Sequence, residues 1–293
     1  AIEEKGLEST EEINAYLKEL TDSGQKAEPR KPRTPLEEAQ DLMYEAWETR
    51  SRKKRIEMAR RALQISPDCA DAYVLLAEET AKNLQEERNL YAQGVQAGER
   101  ALGAEFFQEC AGGFWGIIET RPYMRARLGL AEVLWELGER KEAINHYTEL
   151  LRLNPNDNQG VRYLLLPALM EEGDDRAARK LWQQYKEEAS TDWLYTGALL
   201  AFREKGETAR ANRLLRQAIE ANRFVFALML SLKKIPTTSS PYLRLGSPEE
   251  AMEYVFHNAE LWVKTEGTLE WVAKRLLTMF LLEKPLKEPL FKE

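Results

Sequence analysis

The stretch LGLAEVLWELGERKEAINHYTELLRLNP, residues 128–155, decides the fold of this 293-residue chain. Apolar residues recur at helical spacing on both sides of Gly138, a pattern typical of two amphipathic helices. Glycine adopts the left-handed backbone conformation that ends many helices, and Pro155 stands where the second helix must stop. The stretch therefore predicts a helical hairpin.

The same hairpin pattern recurs along the chain with a period of about 34 residues. Gly206 and Ala211 follow Gly138 and Ala143 after two periods, and the small alanines allow paired helices to approach closely. A single hairpin cannot bury its apolar face, so we expect the hairpins to stack on one another. The predicted units span residues 36–69, 70–103, 124–157, 158–191 and 192–225.

The predicted fold class is all-α, an α-α superhelix of about five helical hairpins followed by C-terminal capping helices. We expect a short helix and a flexible, proline-containing linker over residues 1–34. The repeat array is predicted over residues 35–223, and the capping helices over residues 224–293.

The capping helices have clear start signals in the sequence. Ser247 supplies a hydroxyl cap, Pro248 fits the first turn, and Glu250 completes a capping box. We expect this helix to end near Lys264 and a second helix to span residues 268–282. Such a pair would cover the last apolar face of the stack.

Residues 104–123, AEFFQECAGGFWGIIETRPY, interrupt the repeat pattern with alternating glycines and aromatic residues. Two interpretations are open for this insertion. It is either a hydrophobic loop that packs over the stack, which we favour, or an exposed aromatic lip at the mouth of a groove.

The period, the glycine at the turn, the alanine of the second helix and the closing proline resemble the tetratricopeptide repeat (TPR) family. The unit at 124–157 fits this pattern well, whereas the unit at 192–225 carries Arg223 in place of the final proline. One subclass of that family grips the carboxylate of chaperone tails. Gly129 and Glu132 stand where an Arg and an Asn would serve that clamp, so the chaperone-tail function is disfavoured.

A narrower resemblance covers most of residues 66–272. It is carried by SPDCADAYVLLAEE, AGERAL, MRARLGLAEVLWELGERKEA and YLRLGSPEEAMEYVFHNAELWVKTEGTLEWV, which resemble the core of the suppressor-of-tumorigenicity-7 protein family. The resemblance implies the repeat fold and no established enzymatic activity. Members of that family carry hydrophobic membrane-anchoring segments, and this sequence has no counterpart of them.

The amino-acid composition indicates a soluble globular protein without membrane spans or a disulfide framework. Hydrophobic residues make up 43% and charged residues 31% of the chain, which is ordinary for a soluble globular protein. No apolar run of about 18 residues predicts a membrane span. Cys69 and Cys110 are too few for a disulfide framework, which favours a reducing compartment and a cytoplasmic location.

The sequence contains no catalytic or metal-binding motif. His146 and His257 lie far apart, and each fits a structural position on a helix better than a ligand position. Cys110 has no neighbouring base to activate its thiol. We therefore expect a protein that is not an enzyme and that holds no metal and no cofactor.

Nucleic acid is a weaker alternative partner. The basic run RSRKKR, residues 50–55, together with Arg121, Arg125 and Arg127 could follow a phosphate backbone. The net charge of -7 and the position of the run at a helix–helix turn favour a solvated turn instead.

The first helix of each unit is expected to line a concave groove that binds a protein or peptide partner. We expect aromatic side chains to supply apolar area there and arginines to hold acidic groups of the partner. For Trp135 and Trp193, packing against the neighbouring helix is an equal alternative. The predicted groove residues are Glu78, Arg125, Glu132, Trp135, Arg162, Tyr163, Met170 and Trp193.

Three functional hypotheses follow. The leading one is a non-catalytic protein–protein interaction scaffold that uses the concave groove. The second is a nucleic-acid-associated factor. The third is a regulatory module of a larger multidomain protein, suggested by the linker at 22–35 and by a sequence that starts at Ala1 rather than Met.

Overall fold

The computed structural model describes residues 33–230 and 244–282, and all regular structure in these ranges is helical. The predicted helix and linker of residues 1–32 lie outside the described residues. The α-helices are α1 Pro35–Glu48, α2 Arg52–Ile65, α3 Ala70–Thr80, α4 Leu84–Leu102, α5 Phe106–Glu109, α6 Arg121–Glu136, α7 Arg140–Leu153, α8 Val161–Glu171, α9 Asp175–Gln184, α10 Thr191–Lys205, α11 Ala209–Ala221, α12 Phe224–Leu230, α13 Pro248–Lys264 and α14 Thr268–Leu282.

Ten of these helices form five consecutive hairpins, α1/α2, α3/α4, α6/α7, α8/α9 and α10/α11. The second helix of each hairpin packs on the first helix of the next, as α4 does on α6 and α7 on α8. Contacts between neighbouring hairpins are the signature of a solenoid. The predicted α-α superhelix is therefore confirmed for the described part of the chain.

The hairpins close because small residues stand where paired helices approach. Ala143, Ala178 and Ala211, one in each of three successive second helices, are completely buried. Gly138 ends the first helix of its hairpin at a φ of 80°, and the N–H of Glu139 donates to the carbonyl of Leu134. A side chain at that φ would be strained, so the glycine fixes the turn.

The insertion between α4 and α6 packs against the stack. Phe114 is completely buried, and its ring lies 5.2 Å from that of Phe107 and 6.4 Å from that of Tyr123. The N–H of Gly112 donates to the carbonyl of Leu153 on the neighbouring hairpin. The interpretation as a packed hydrophobic loop is confirmed, and the exposed aromatic lip is wrong for the described residues.

The C-terminal helices begin where their local signals predict. The hydroxyl of Ser247 accepts from the N–H of Glu250, α13 runs to Lys264, and α14 spans Thr268–Leu282. The indole of Trp271 stacks on Phe202 with ring centroids 4.5 Å apart. These helices therefore cover the last hairpin, as expected for a cap.

A buried polar cluster joins α13 to the last hairpin. Glu250 is 5% exposed and accepts from the N–H groups of Thr191 at 2.9 Å and Gly246 at 2.7 Å. The amide of Asn222 donates to the Thr191 hydroxyl at 2.9 Å and to the Ser247 carbonyl at 3.0 Å. We call these residues, Thr191, Asn222, Gly246, Ser247 and Glu250, the polar clasp. It joins α13 to the last hairpin, and α13 contacts α8 and α10, the first helices of the last two hairpins.

Candidate interaction groove

A cavity of about 840 Å³ opens on the concave side of the stack. Its walls come from α6, α8, the start of α10 and α13, and α4 and α7 add side chains that reach between the inner helices. The capping helix α13 thus closes one side of the groove rather than only covering the last hairpin. We call this cavity and its lining residues the groove.

Three predicted residues meet in the groove, and a fourth lies beside it. Glu132, Trp135 and Tyr163 line the cavity. Trp135 is half-buried beneath the Arg140 guanidinium, which lies 4.7 Å from the centroid of its ring system. Glu78 is exposed on α3, close enough to Glu132 to raise the pKa of that carboxyl.

The two predicted arginines are not free to hold a partner's acidic groups. Arg125 donates to both carboxylate oxygens of the completely buried Asp71, at 2.8 and 2.6 Å. Arg162 donates to Asp157 at 3.1 Å and to Glu188 at 2.6 Å. Arg125 thus forms a bidentate pair, Arg162 holds two separate carboxylates, and neither is among the described residues that line the cavity, so the prediction that these arginines bind an acidic partner is corrected.

Met170 and Trp193 are also corrected, since each side chain is only 1% exposed. The indole of Trp193 donates to the carbonyl of Trp182 at 3.3 Å, and the indole of Trp182 donates back to the Trp193 carbonyl at 3.0 Å. The reciprocal bonds fix Trp193 between α9 and α10. Of the two roles considered for Trp193, the structure shows packing against a neighbouring helix rather than exposure in the groove.

The groove is acidic. Among the described residues that line it, seven carry carboxyl groups and none is a lysine or an arginine. Four of the seven are partnered within the chain: Glu171 by Arg140, Asp192 by Asn258, Glu250 by the polar clasp and Glu253 by His257. The other three, Glu87, Glu132 and Glu136, have no hydrogen bond or ion pair with any described residue.

The charged forms of three groove carboxylates are destabilised by burial and by repulsion from other carboxylates, which raises their pKa values. The surrounding protein raises the pKa of Glu132 by desolvation, and Glu136, Glu87 and Glu78 raise it further by repulsion. Desolvation and the charge of Glu136 likewise raise the pKa of Glu87. On the opposite wall, burial raises the pKa of Asp192 to about 6. Glu87, Glu132 and Glu136 therefore present carboxylates that no described cation pairs with.

Two tyrosines from second helices reach the groove, and sequence reasoning missed both. Tyr91 and Tyr147 line the cavity although they are only 6% and 3% exposed. Tyr91 passes α6 at Gly129, where a Cβ atom would lie 2.4 Å from its Cζ atom. A glycine inside an otherwise regular helix was the available signal. Neither hydroxyl has a hydrogen-bond partner among the described residues.

Other reactive residues are placed in packed surroundings. Cys69 is completely buried, and burial raises the pKa of its thiol to about 12. Burial and the charge of Arg127 lower the pKa of His146 to about 4. Within residues 33–230 and 244–282, no three His, Cys, Asp or Glu side chains are grouped to hold a metal ion.

The basic run at 50–55 lies at the turn between α1 and α2 and at the start of α2. Arg55 pairs with Glu79, and Arg52 donates to the Glu79 carbonyl, so part of this run anchors the end of α3. Across the helices that the structure describes, none has the length and apolar character needed to cross a bilayer.

Comparisons with known proteins place these features in a family. The family model described as ST7 protein matches residues 33–288. Suppressor of tumorigenicity 7 protein-like from Rattus norvegicus is 28% identical over 265 residues, which cover 80% of this chain and 46% of that protein. Protein ST7 homolog from Caenorhabditis elegans is 26% identical over 272 residues, which cover 78% of this chain and 49% of the homolog.

The chain thus spans about half the length of the curated relatives it matches. A crystal structure described as that of YrrB, a TPR protein with an unusual peptide-binding site, aligns with a TM-score of 0.44 at 18% identity. That alignment covers 70% of this chain and 91% of the other. The family match spans nearly the whole described stack, and on that match the chain belongs to the ST7 protein family.

Proposed function

We propose that this chain is a non-catalytic scaffold that binds a segment of a partner protein in the groove. The observation that carries the proposal is the cavity of about 840 Å³ enclosed by α6, α8, α10 and α13. Ligand pockets in proteins have volumes of roughly 300–1,000 Å³. A cavity of this size accommodates several side chains of a bound segment.

The lining chemistry supports a peptide more than a small metabolite. Trp135, Tyr163, Leu164 and Pro167 present aromatic and aliphatic surface along α6 and α8. Tryptophan and tyrosine side chains are among those that contribute most of the binding energy at protein interfaces. Carboxylates and tyrosines between them provide polar contacts that would fix the position of a ligand.

The alternative functions have less support. In the basic run, Arg52 and Arg55 contact Glu79 within the chain, which leaves fewer cations for a phosphate backbone. A regulatory role within a larger protein is compatible with groove binding and does not compete with it. Cytoplasmic location stays a prediction from the cysteine content.

The proposal can be tested by selecting binders from a random displayed peptide library on the purified chain. We expect Trp135→Ala to weaken the selected peptides by at least about tenfold, because the side chain supplies groove surface. Trp115→Ala is the matched control, since that indole is also half-buried and has the Arg121 guanidinium 5.0 Å from its centroid, but it lies in the insertion. Equal effects of the two variants, or no selected binder, would contradict groove binding.

A further inference from the structure

The three unpartnered carboxylates of the groove share one side of the cavity. Glu132 and Glu136 are one turn apart on α6, and Glu87 stands in the first turn of α4. Like charges placed together repel, and a bound cation would relieve that repulsion. None of the described residues that line the cavity is a lysine or an arginine, so this part of the lining does not supply the cation.

The hydroxyls of Tyr91 and Tyr147 are a second and independent observation. Both side chains are more than nine-tenths buried, line the same cavity and lack a hydrogen-bond partner among the described residues. The body of each side chain is buried while its hydroxyl oxygen is reached from the cavity, so each hydroxyl is available to hydrogen-bond a ligand there. A hydroxyl oxygen accepts hydrogen bonds as well as donating them.

The approach of Tyr91 to the groove depends on a specific feature of α6. At Gly129 any side chain would overlap the tyrosine ring, so the glycine leaves a passage for Tyr91 from α4 through the inner wall. Burial raises the pKa of its hydroxyl most, and the charges of the nearby Glu78, Glu87 and Glu132 raise it further. The local sequence is thus arranged to bring a hydrogen-bond acceptor to the acidic side.

A metal ion does not fit this arrangement. A divalent cation needs several oxygen ligands converging on one point, and the described carboxylates form no such group. They are instead spread over two helices, with aromatic and aliphatic surface continuing along α8. That spacing suits an elongated cation with several donors and an apolar stem.

We propose that the partner segment is basic and that the groove takes a lysine or arginine side chain between Glu87, Glu132 and Glu136 and the hydroxyls of Tyr91 and Tyr147. This inference rests on the proposed function and states the chemistry of the partner. The carboxylates and hydroxyls accept its hydrogen bonds. Leu164, Pro167 and Trp135 contact the rest of the segment, which distinguishes a peptide from a free polyamine.

The test compares two triple variants that change the net charge equally. Glu87→Gln, Glu132→Gln and Glu136→Gln neutralise the acidic side of the groove. Glu57→Gln, Glu99→Gln and Glu220→Gln neutralise three exposed carboxylates on the second helices α2, α4 and α11. Circular dichroism checks that both proteins fold. Binding is measured by fluorescence anisotropy with basic, neutral and acidic peptides of one apolar framework, and with spermidine as competitor.

We expect only the basic peptide to bind the wild-type chain, and the groove triple to weaken it at least about tenfold while the control triple changes it less than about twofold. Equal weakening by both triples would reduce the effect to net charge and overturn the inference. Preferred binding of the neutral or acidic peptide would overturn it while leaving groove binding intact. No peptide binding, together with no effect of Trp135→Ala on library selection, would instead overturn the proposed function.

Substitution of the two tyrosines tests the site without changing the net charge of the chain. Tyr91→Phe and Tyr147→Phe keep the buried rings and remove only the hydroxyls. We expect each to weaken the basic peptide by roughly threefold to tenfold. Tyr73→Phe is the control, because that hydroxyl donates to the Pro67 carbonyl outside the groove. Displacement of the basic peptide by spermidine as efficiently as by unlabelled peptide would overturn the peptide assignment.

Discussion

The two walls of the groove carry similar numbers of acidic side chains but use them differently. On the wall formed by α8, α10 and α13, Glu171, Asp192, Glu250 and Glu253 are each partnered by another group of the chain. On the wall formed by α4 and α6, Glu87, Glu132 and Glu136 have no such partner among the described residues. The carboxylates of the first wall are thus bonded to other groups of the chain, whereas those of the second wall are not.

This difference indicates where stability and binding are separated in the molecule. A buried charge with all its hydrogen bonds made costs a great deal when its partner is removed. A charge that repels its neighbours contributes nothing to folding, and natural proteins commonly keep such residues where binding needs them. Substitution of the fully hydrogen-bonded Glu250 and substitution of the three unpartnered carboxylates should therefore have opposite effects on stability.

The largest expected effect is at the polar clasp. Glu250→Ala leaves the N–H groups of Thr191 and Gly246 without their acceptor and removes one of three acceptors of the Asn222 amide, so we expect a loss of about 3 kcal/mol in the free energy of unfolding. Urea denaturation measures it. Glu253→Ala, one turn away and paired only with the more exposed His257, should cost less than about 0.5 kcal/mol. A similar cost for both would erase the difference assigned to the clasp.

The second-largest expected effect is at Gly129, which lets Tyr91 reach the acidic side of the groove. Gly129→Ala usually favours a helix, but here the new Cβ atom would lie 2.3 Å from Cε1 of Tyr91. We expect a loss of about 2 kcal/mol in the free energy of unfolding and a displaced Tyr91 ring. Gly116→Ala, where no atom lies within 4 Å of the added Cβ, should be close to neutral. Thermal denaturation of both variants tests the passage through α6.

Local features of the fold could be predicted because their signals are local. The turn at Gly138, the buried alanines and the start of α13 at Pro248 each depend on residues within one or two helical turns. The fold class and the bounds of the capping helices followed from them. The start of the stack at Pro35 is another example, because Thr34 and Glu37 form its capping box.

The chemistry of the groove could not be predicted in the same way. The pairing of Arg125 with Asp71 joins residues on two different hairpins, and the burial of Trp193 depends on Trp182 in another helix. Such partners are chosen by the packing of the stack and leave no local pattern. The sequence therefore indicated which helices face the groove, but it predicted a mixture of arginines and carboxylates there rather than an excess of carboxylates.

The third effect is a pH dependence of stability that arises from Asp192. Burial raises the pKa of Asp192 from 3.8 to about 6, with Glu250 and Glu253 adding repulsion and His257 and Asn258 opposing it. The folded state then binds the proton more tightly than the unfolded state, so this group's contribution to stability is fully present below pH 4 and is lost as the pH rises to about 6.

Asp192→Asn should remove that contribution to the pH dependence and raise the free energy of unfolding at pH 7 by about 1–2 kcal/mol. Its side-chain oxygen can still accept from Asn258. Urea midpoints of the variant and the wild type between pH 4 and 7 give the difference directly. A difference that stays constant across this range would show that Asp192 does not titrate there.

The smallest expected effect tests the acidic wall itself. Replacing Glu87, Glu132 and Glu136 by glutamine removes mutual repulsion without breaking any described hydrogen bond, so we expect a gain of about 0.5–1 kcal/mol in the free energy of unfolding at low salt. The gain should shrink at about 1 M salt, where screening weakens the repulsion. The triple at Glu57, Glu99 and Glu220 controls for net charge and should gain less. A loss of stability in the groove triple would mean that these carboxylates serve the fold, and the two walls would then no longer differ in kind. A gain in stability, combined with weaker binding of a basic peptide, would show that repulsion among these carboxylates destabilises the free chain and that a basic partner relieves it.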